Sequence, residues 1–361
     1  MKGDTALHAL HVLVMAGGRG TRFWPKSRRS HPKQVLPLLE EGSLLEATLD
    51  RIAPLVPPER VLVVTGREME ASVKQILAGR VPLSNVMVEP HGRNTAPAIG
   101  WGAVEIGRRG GGQAVMAVLP SDHTVERPDE LRKVLDAASR AASETNALIT
   151  LGMRPTHPET GFGYLEVGVE VGSWGGLQFF GVERFVEKPN LETARRYVEA
   201  QTHLWNAGMF VFTVDAIRDA YRSYLPETAV VLEQLMTNPE RLEALWPDTE
   251  ATSIDYGVFE RSRHTFTIPC EIGWSDAGSW RALEEMLPAV EGGHGIARAT
   301  LALGAKDNVV HAPNHVVALL GVEDLVVVES DGVLFVANKD RAQEVGRLVE
   351  LAVQKGLGDI T

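Results

Sequence analysis

The sequence has a single cysteine, Cys270, among its 361 residues. One cysteine excludes an intrachain disulfide and favours a reducing compartment. No apolar run approaches the roughly 18 residues that a membrane-spanning helix needs, and residues 1–11 lack the basic start and long apolar core of a signal peptide. The net charge of −11 argues against nucleic acid as a general partner. These absences predict a cytoplasmic protein with neither a membrane nor a nucleic acid as its partner.

The composition is otherwise that of an ordinary globular protein, with 44% hydrophobic and 23% charged residues. The first 150 residues alternate short apolar runs with longer amphipathic stretches, which is typical of a parallel sheet covered by helices. The predicted strands are 11–16, 61–65, 86–88 and 114–119, and the predicted helices are 43–53, 67–79, 95–108 and 129–143. Ligands of such sheets bind beyond the carboxyl ends of the strands, so we expect function in the loops that follow them.

The most informative stretch is 12–37, VLVMAGGRGTRFWPKSRRSHPKQVLP. An apolar run typical of a strand buried on both faces leads into Gly17, Gly18 and Gly20. Glycine permits tight turns, and such a loop can direct several backbone N–H groups at one anion. Basic residues follow at Arg19, Arg22, Lys26, Arg28, Arg29 and Lys33. The stretch therefore predicts a polyphosphate site; the alternative is an ordinary strand–helix turn with a solvated basic face.

Two familiar phosphate motifs do not fit this stretch. A Walker A loop needs G-x-x-x-x-G-K-[ST], which occurs nowhere in the chain. A dinucleotide fingerprint opens directly into a helix and ends on Gly or Ala, whereas Phe23 stands at that position and Pro25 follows it. The stretch is therefore predicted to be a long irregular loop, and a nicotinamide dehydrogenase is disfavoured.

Residues 89–97, EPHGRNTAP, follow another predicted strand. Asn94 or Thr95 can cap the helix that comes next. A functional interpretation adds recognition of a base or ribose by Arg93, Asn94 and Thr95, because this loop lies beside the glycine loop by strand order. Residue types alone leave both interpretations open.

Two aspartates stand at strand ends. Asp122 follows a buried strand that ends at Pro120, and Asp276 stands in a glycine-rich junction between a predicted strand, 264–270, and a predicted helix, 279–287. A carboxylate beside a phosphate loop suits Mg²⁺, which takes few ligands from protein and several from phosphates. The alternatives are a turn-capping role for the first aspartate and a helix N-terminal role for the second.

The middle of the chain carries weaker signals. The sequence GFGY at 161–164 places glycines where a flat ligand could approach the backbone, and Glu187 and Lys188 end a predicted strand, 179–188. Asn206 stands at the start of another strand. Each signal is weak alone, because an exposed Glu–Lys pair contributes at most about 1 kcal/mol and Gly and Asn are common turn residues.

Residues 288–361 have the pattern of an appended unit. EGGHG at 291–295 is predicted to be a linker. The predicted elements after it are strands at 308–310, 316–320, 325–328 and 333–336 and a helix at about 340–355.

GGRGTRFWP at 17–25, followed by Pro32-Lys33-Gln34, resembles the signature of the sugar nucleotidyltransferases. The FWP and PKQ variants are similar to the mannose-1-phosphate guanylyltransferase branch of that family. The segments EPHGRNTAP, PSDH, GFGY, VEKP, WNAG, IDY and GWSD resemble the family in the same order, so the resemblance spans essentially the whole chain. It implies an α/β fold, with a Rossmann-like, mainly parallel sheet flanked by helices in a catalytic domain, 1–288. A small β-rich domain that ends in a helix, 289–361, is implied to follow.

The resemblance also implies residue roles. Those for the nucleotide are Ala16, Gly17, Gly18, Gly20, Thr21, Arg22, Arg93, Asn94, Thr95 and Asp122. Those for the sugar are Gly163, Tyr164, Glu187, Lys188 and Asn206. The implied catalytic residues are Arg22, Lys33, Asp122, Lys188 and Asp276, and the implied ligands of Mg²⁺, with Mn²⁺ as an alternative, are Asp122 and Asp276. For Asp255 and Glu260 the resemblance suggests support of the pocket, and no direct contact is predicted.

The implied reaction is mannose 1-phosphate + GTP ⇌ GDP-mannose + pyrophosphate, by in-line attack of a sugar-phosphate oxygen on the α-phosphorus. One alternative is the same chemistry with another NTP or sugar phosphate. Another is an inactive sugar-nucleotide sensor, which would be expected to lack Lys33, Asp122 or Asp276, yet all three are present. The C-terminal domain is expected to pack on the catalytic domain or to form a homodimer.

Overall fold

The computed structural model describes residues 10–18, 23–28, 33–36, 42–278, 280, 284 and 287–361. The predictions for Gly20, Thr21 and Arg22, and for most of the helix expected at 279–287, lie outside the described residues. Within the described part, none of the helices has the length and apolarity that crossing a membrane requires.

The strands and helices are numbered in chain order. The strands are β1 (Leu10–Ala16), β2 (Val61–Gly66), β3 (Val86–Glu89), β4 (Val115–Pro120), β5 (Thr124–Val125), β6 (Leu148–Met153), β7 (Gly163–Trp174), β8 (Leu177–Glu187), β9 (His203–Thr213), β10 (Thr265–Cys270), β11 (Trp274–Ser275), β12 (Ala289–Val290), β13 (Gly293–Leu303), β14 (Asn308–Leu320), β15 (Leu325–Ser330) and β16 (Val333–Asn338). The helices are α1 (Leu44–Ile52), α2 (Glu70–Leu77), α3 (Thr95–Gly110), α4 (Pro128–Thr145), α5 (Leu191–Ala200), α6 (Val214–Tyr224), α7 (Pro226–Thr237), α8 (Leu242–Leu245) and α9 (Val345–Gln354).

A nine-stranded sheet with the order β3-β2-β1-β4-β9-β6-β10-β8-β7 organises the chain. Its first part is parallel, since β1 pairs with β2 and β4, and β2 pairs with β3. Strand β9 enters antiparallel between β4 and β6, and β7 and β8 form an antiparallel hairpin. The predicted α/β fold is confirmed, but the sheet is mixed rather than mainly parallel, because β7, β8 and β9 run antiparallel to their neighbours. The parallel strands β1 to β4 are those that alternate with helices along the sequence.

Helices cover both faces of this sheet. Val12 and Val14 pack into one core with α1, α2 and α4, whereas Leu13 packs into the other with α3, α6 and α7. This alternation follows the two-residue period of a strand. All three side chains are completely buried, and burial of each contributes about 1.5–3 kcal/mol. The two cores hold the strand ends, and therefore the loops after them, at one edge of the sheet.

Local signals fix where the predicted helices begin. Before α1, the Ser43 hydroxyl accepts a hydrogen bond from the Glu46 backbone N–H, and the Glu46 carboxylate accepts one from the Ser43 backbone N–H, at 2.8 Å. This reciprocal capping box satisfies backbone donors that a helix start leaves unpaired. The helix expected at 43–53 therefore begins within one residue of its predicted position.

The C-terminal strands form a separate five-stranded sheet, in which β13, β14 and β15 are parallel. The linker predicted at 291–295 is wrong, because β12 and β13 pair there as a hairpin, with Val290 opposite Gly293. The predicted strands 308–310 and 316–320 are parts of one continuous strand, β14. The β-rich domain and its terminal helix are otherwise as expected.

Candidate active site

The glycine loop follows β1 at the carboxyl edge of the parallel strands. Ala16 ends β1 and is completely buried, with its carbonyl accepting a hydrogen bond from the Thr65 hydroxyl at 2.9 Å. Gly17 and Gly18 follow and are exposed, and Gly18 has a φ of 95°, a left-handed value that favours glycine. The Ser121 backbone N–H donates to the Met15 carbonyl at 3.1 Å, so the loop that carries Asp122 is tied to the same strand end.

Phe23 and Trp24 anchor the far side of the glycine loop. Both are buried, Phe23 against the Trp280 ring at 5.2 Å and Trp24 against the Phe335 ring at 6.0 Å between centroids. The Trp24 indole donates to the Ile360 carbonyl at 2.7 Å. Trp24 is therefore a structural link from the phosphate loop to the C-terminal domain, while Phe23 packs on Trp280 before that domain begins.

A basic residue of the same loop also bonds to that domain. Lys26 Nζ lies 2.9 Å from His311 Nε2. Burial lowers the pKa of Lys26 to about 8, and burial together with the Lys26 charge lowers the pKa of His311 to about 4. A neutral His311 can accept a hydrogen bond from the Lys26 ammonium through Nε2, so this contact does not require an acidic partner.

Lys33 brings the two predicted metal ligands together. Its side chain is buried, and Nζ donates to Asp122 Oδ2 at 3.2 Å and to the Asp276 carbonyl at 2.9 Å. The ammonium also lies 5.2 Å from the centroid of the Phe23 ring. One cation from the phosphate loop thus contacts residues from two other loops, which the sequence separates by 89 and 243 positions.

The environment of Asp122 keeps its carboxyl group charged. Burial opposes ionisation, but the charges of Lys33 and His123 outweigh it, and the pKa of Asp122 lies below its ordinary value. The side chain retains 37% exposure, so a ligand can reach it. In Asp276, Oδ1 accepts the Gly278 backbone N–H at 2.9 Å, and Lys33 bonds to the carbonyl rather than the carboxylate.

These carboxylates fit a hard divalent cation. Carboxylate oxygens are what Mg²⁺ binds, and it usually needs one or two of them when substrate phosphates supply the rest. Among the described residues no group of three or more His, Cys, Asp and Glu side chains could hold a metal ion. The carboxylates of Asp122 and Asp276 therefore suit, by their chemistry, a hard cation that takes further ligands from phosphates.

His123, the neighbour of Asp122, is held by hydrogen bonds to two other residues. The Trp274 indole donates to its Nδ1 at 3.1 Å, and an Arg51 guanidinium N–H donates to its carbonyl at 2.9 Å. Burial lowers the pKa of His123, although Asp122 and Asp276 oppose the shift. These contacts orient the loop that carries Asp122.

In the loop predicted to recognise the base, Arg93 and Thr95 form hydrogen bonds with another segment of the chain, and Asn94 is exposed. Asn94 is exposed, adopts a φ of 70° and caps α3 through the Thr95 backbone N–H. The Thr95 hydroxyl accepts the Ile254 backbone N–H at 2.9 Å. The Arg93 guanidinium donates to the Thr249 carbonyl, at 2.9 Å from Nε. Arg93 is thus turned toward the segment before Ile254, and Asn94 is the loop side chain that remains exposed.

Three predicted sugar residues form one row across the sheet. Gly163 of β7 is in register with Asn206 of β9 on one side and with Glu187 of β8 on the other. Directly opposed residues share one face of a sheet. A Cβ on Gly163 would lie 2.5 Å from Glu187 Oε2, so the glycine leaves the space that this carboxylate occupies. The row therefore has two polar side chains separated by a residue without one.

Glu187 and Lys188 end β8 beside this row. Burial raises the pKa of Glu187, against the opposing charge of Lys188, whose ammonium lies 3.1 Å from Glu187 Oε1. Lys188 has a φ of 49°, which is rare for a side-chain-bearing residue and common at functional sites. Its side chain is 53% exposed, so the ammonium is accessible to an anion.

Tyr164 lies on the opposite face from the row. Its side chain is completely buried, and its hydroxyl donates to the Glu159 carbonyl at 2.9 Å. Only its backbone can contribute to a site on the other face. If Tyr164 contributes to the sugar site, as predicted, it can do so only through its backbone.

Two acidic residues near the site, Glu89 and Asp255, are buried in surroundings that raise their pKa, which the sequence did not indicate. Glu89 ends β3 just before the Asn94 loop, burial raises its pKa to about 7, and its Oε1 has no hydrogen-bond partner. Burial raises the pKa of Asp255 to about 7 as well, with the Glu187 charge adding to the shift. The sequence signal for Glu89 was its place at a strand end, and the signal for Asp255 was the IDY resemblance.

Comparison with known proteins places this arrangement in a family. The family model described as nucleotidyl transferase matches residues 11–292. A second, described as MannoseP isomerase/GMP-like beta-helix domain, matches residues 299–351. The fold and the site thus define a nucleotidyltransferase with an additional C-terminal β domain.

Relatives narrow the class further. A mannose-1-phosphate guanylyltransferase of Escherichia coli (strain K12) is 33% identical over 350 residues, or 94% of this chain and 73% of the relative. The xanthan biosynthesis protein XanB of Xanthomonas campestris pv. campestris (strain B100) is 35% identical over 97% of this chain and 74% of its own. A crystal structure from Thermus thermophilus, described as mannose-1-phosphate geranyltransferase, is 37% identical, with a TM-score of 0.86 over 95% of this chain and 99% of that one.

The chain therefore belongs to the nucleotidyl transferase family, in its mannose-1-phosphate guanylyltransferase branch. The resemblance carried by the glycine loop and the PKQ lysine is confirmed. Enzymes of this family act on a nucleoside triphosphate and a sugar phosphate and generally use a divalent metal ion.

Proposed function

We propose that this chain converts mannose 1-phosphate and GTP to GDP-mannose and pyrophosphate. The observation that carries the proposal is the position of Lys33, which contacts both Asp122 and Asp276 beside the glycine loop. A buried cation that bonds to one carboxylate and to the backbone of a second aspartate, at the end of a phosphate loop, suits transfer of a nucleotidyl group. The names of the guanylyltransferase relatives support the choice of GTP and mannose 1-phosphate.

The division of labour follows from the chemistry of the reaction. The sugar phosphate is already an anion near neutral pH, so its attack on the α-phosphorus needs no general base. Catalysis then depends on positioning and on neutralising charge. Backbone N–H groups at 17–20 and Arg22 hold the triphosphate, Lys33 neutralises the reacting phosphates, and Lys188 aligns the sugar phosphate. Glu187 and Asn206 bond to the sugar hydroxyls.

We propose that Asp122 and Asp276 hold the divalent ion, with Mg²⁺ preferred and Mn²⁺ as an alternative. Their ionised oxygens suit such a cation, as the low pKa of Asp122 supports. When bound, the ion would stabilise negative charge on the phosphates. Lys33, Lys188 and the glycine loop supply the remaining neutralisation from the chain itself.

Release of pyrophosphate tests this function directly. The expected result is release that requires GTP, mannose 1-phosphate and Mg²⁺ together and that EDTA abolishes. A panel of other nucleoside triphosphates and sugar phosphates should give lower kcat/KM. A higher kcat/KM with another pair of substrates would mean that this other pair is the preferred one. The absence of pyrophosphate release with every pair would contradict the transferase assignment for this chain.

We also propose that residues 289–361 form a domain that joins two copies of the chain. The support is a surface of exposed leucines, since Leu301, Leu303, Leu320 and Leu334 are 58%, 72%, 73% and 67% exposed, and monomers rarely expose large apolar patches. Light scattering after gel filtration should give a dimer mass, and Leu303→Glu with Leu320→Glu should give a monomer. A monomeric wild-type protein would contradict the proposal.

A further inference from the structure

A short segment, 252–260, lies against both predicted substrate loops. It contains a π-helical turn, Asp255–Phe259, followed by Glu260. Single π-helical turns are rare and are frequent at functional sites. On one side, the Ala96 backbone N–H donates to the Thr252 carbonyl at 3.1 Å, which ties the segment to the start of α3. On the other side, the segment places two carboxylates against the polar row of the sheet.

The first carboxylate fixes the orientation of Asn206. Asn206 Nδ2 donates to Asp255 Oδ1 at 2.9 Å, while its Oδ1 accepts the Thr150 hydroxyl at 2.8 Å and the Gly208 backbone N–H at 3.2 Å. Because the Gly208 backbone N–H must meet an acceptor, the amide oxygen faces Gly208 and Nδ2 faces Asp255, so the amide can have only one orientation. Both lone pairs of the amide oxygen are used. Asn206 can therefore offer a sugar one N–H donor.

The second carboxylate fixes the end of β8. Glu260 Oε1 accepts the Glu187 backbone N–H at 2.8 Å. The next residue, Lys188, has the left-handed backbone described above and donates its N–H to the Phe162 carbonyl at 3.2 Å. Strained conformations persist where surrounding contacts over-determine them. The bond from Glu260 is one such contact, and it holds the backbone from which the Glu187 and Lys188 side chains extend.

The buried position of Asp255 close to Glu187 makes its ionisation unfavourable. Burial and the Glu187 charge raise its pKa to about 7, so the ionised form is disfavoured there. Lys188 is the cation that opposes this shift. A carboxylate retained in such surroundings suits a role in the site better than a role in stability.

We propose that Asp255 and Glu260 are positioning residues for the sugar phosphate: Asp255 orients Asn206 as a hydrogen-bond donor, and Glu260 orients Glu187 as an acceptor and Lys188 as the phosphate ligand. The inference rests on the proposed function and assigns the polarity of its sugar site. A sugar hydroxyl next to Asn206 must accept, and one next to Glu187 must donate. Neither acid touches the sugar.

Alanine and conservative variants test the two acids. Asp255→Ala should raise KM for mannose 1-phosphate about tenfold, the effect of losing the one hydrogen bond that orients Asn206, with KM for GTP unchanged. Asp255→Asn keeps an acceptor for Asn206 Nδ2 and should remain within about threefold of wild type. Glu260→Ala and Glu260→Gln should behave in the same two ways. Glu233→Ala, which removes the exposed ion pair between Glu233 of α7 and Arg222 of α6, is the matched control.

The outcomes separate positioning from other roles. Equal losses in Asp255→Asn and Asp255→Ala would mean that the charged oxygen itself contacts the sugar, which overturns the inference. Parallel rises in both KM values with a lowered melting temperature would mean a structural role only, and would also overturn it. Calorimetric titration of each variant with mannose 1-phosphate alone gives the same comparison without turnover. If the wild type binds mannose 1-phosphate but releases no pyrophosphate, the proposed reaction is contradicted. The calorimetric comparison of the variants would still test whether the two acids position the sugar site.

Discussion

Asp122→Ala is expected to lower kcat/KM for pyrophosphate release by about 10³-fold or more. The carboxylate is ionised, 37% exposed and 3.2 Å from Lys33 Nζ, so it is both a candidate ligand of the divalent ion and the partner of the cation at the reacting phosphates. Losing one preorganised group that stabilises developing negative charge typically removes about 10²–10³-fold, or about 2.7–4 kcal/mol, and Asp122 acts on such charge by holding Lys33 in place. Loss of a metal ligand adds to that. Steady-state kinetics at saturating Mg²⁺ measure the effect.

The control for this variant separates charge from fold. Asp122→Asn keeps the size of the side chain and an acceptor for Lys33, so it should stay folded and still lose most of the turnover. Asp219→Asn, at an exposed ion pair with Arg222, should keep wild-type turnover. A folded Asp122→Asn protein with nearly wild-type kcat/KM at saturating metal would rule out the metal-ligand role.

The parallel half of the fold was predictable because its signals are local. A run such as Val12 to Met15 can be buried on both faces only in a sheet covered on both sides. The pair Ser43 and Glu46 marks a helix start within four residues. Neither signal depends on a distant partner, and the strand predicted at 11–16 and the helix predicted at 43–53 both lie where they were expected.

The antiparallel half and the second sheet depend on distant contacts. Nothing in the sequence near β9 indicates that it inserts between β4 and β6. The prediction of a linker rested on Gly293 and Gly295, which in the structure pack against the backbone of β14. A Cβ on Gly293 would lie 1.9 Å from the Asn308 carbonyl oxygen, and a Cβ on Gly295 would lie 2.1 Å from the Val310 carbonyl oxygen. These glycines permit two backbones to approach, and the same composition serves a flexible segment.

The candidate site was predictable in its residue types but not in its partners. Strand order and motif resemblance indicated Lys33, Asp122 and Asp276. The bond from Lys33 to the carbonyl of Asp276, rather than to its carboxylate, requires three-dimensional coordinates. The same holds for Asn206, whose amide oxygen is already used by Thr150 and Gly208. Side-chain polarity in a site is set by neighbours that are far apart in sequence.

Lys33→Met is the second large effect that we expect, with kcat/KM reduced by about 10²–10³-fold. Methionine keeps the length and apolar stem of the side chain, so packing against Phe23 should persist while the charge is lost. Lys33→Arg should not restore activity, because the buried space between Asp122 and the Asp276 carbonyl fits a compact ammonium and a planar guanidinium is larger. Kinetics with both substrates and the melting temperature of each variant provide the measurements.

The division of the loss between kcat and KM identifies what Lys33 does. If the ammonium acts mainly on charge that develops at the reacting phosphates, kcat falls and calorimetric affinity for GTP changes little. If it only holds the triphosphate, KM for GTP rises and kcat is retained. We expect the first pattern, because Lys33 contacts the loops of both Asp122 and Asp276, where the reacting groups would meet. A Lys33→Met protein with wild-type kcat would place the ammonium in nucleotide binding alone.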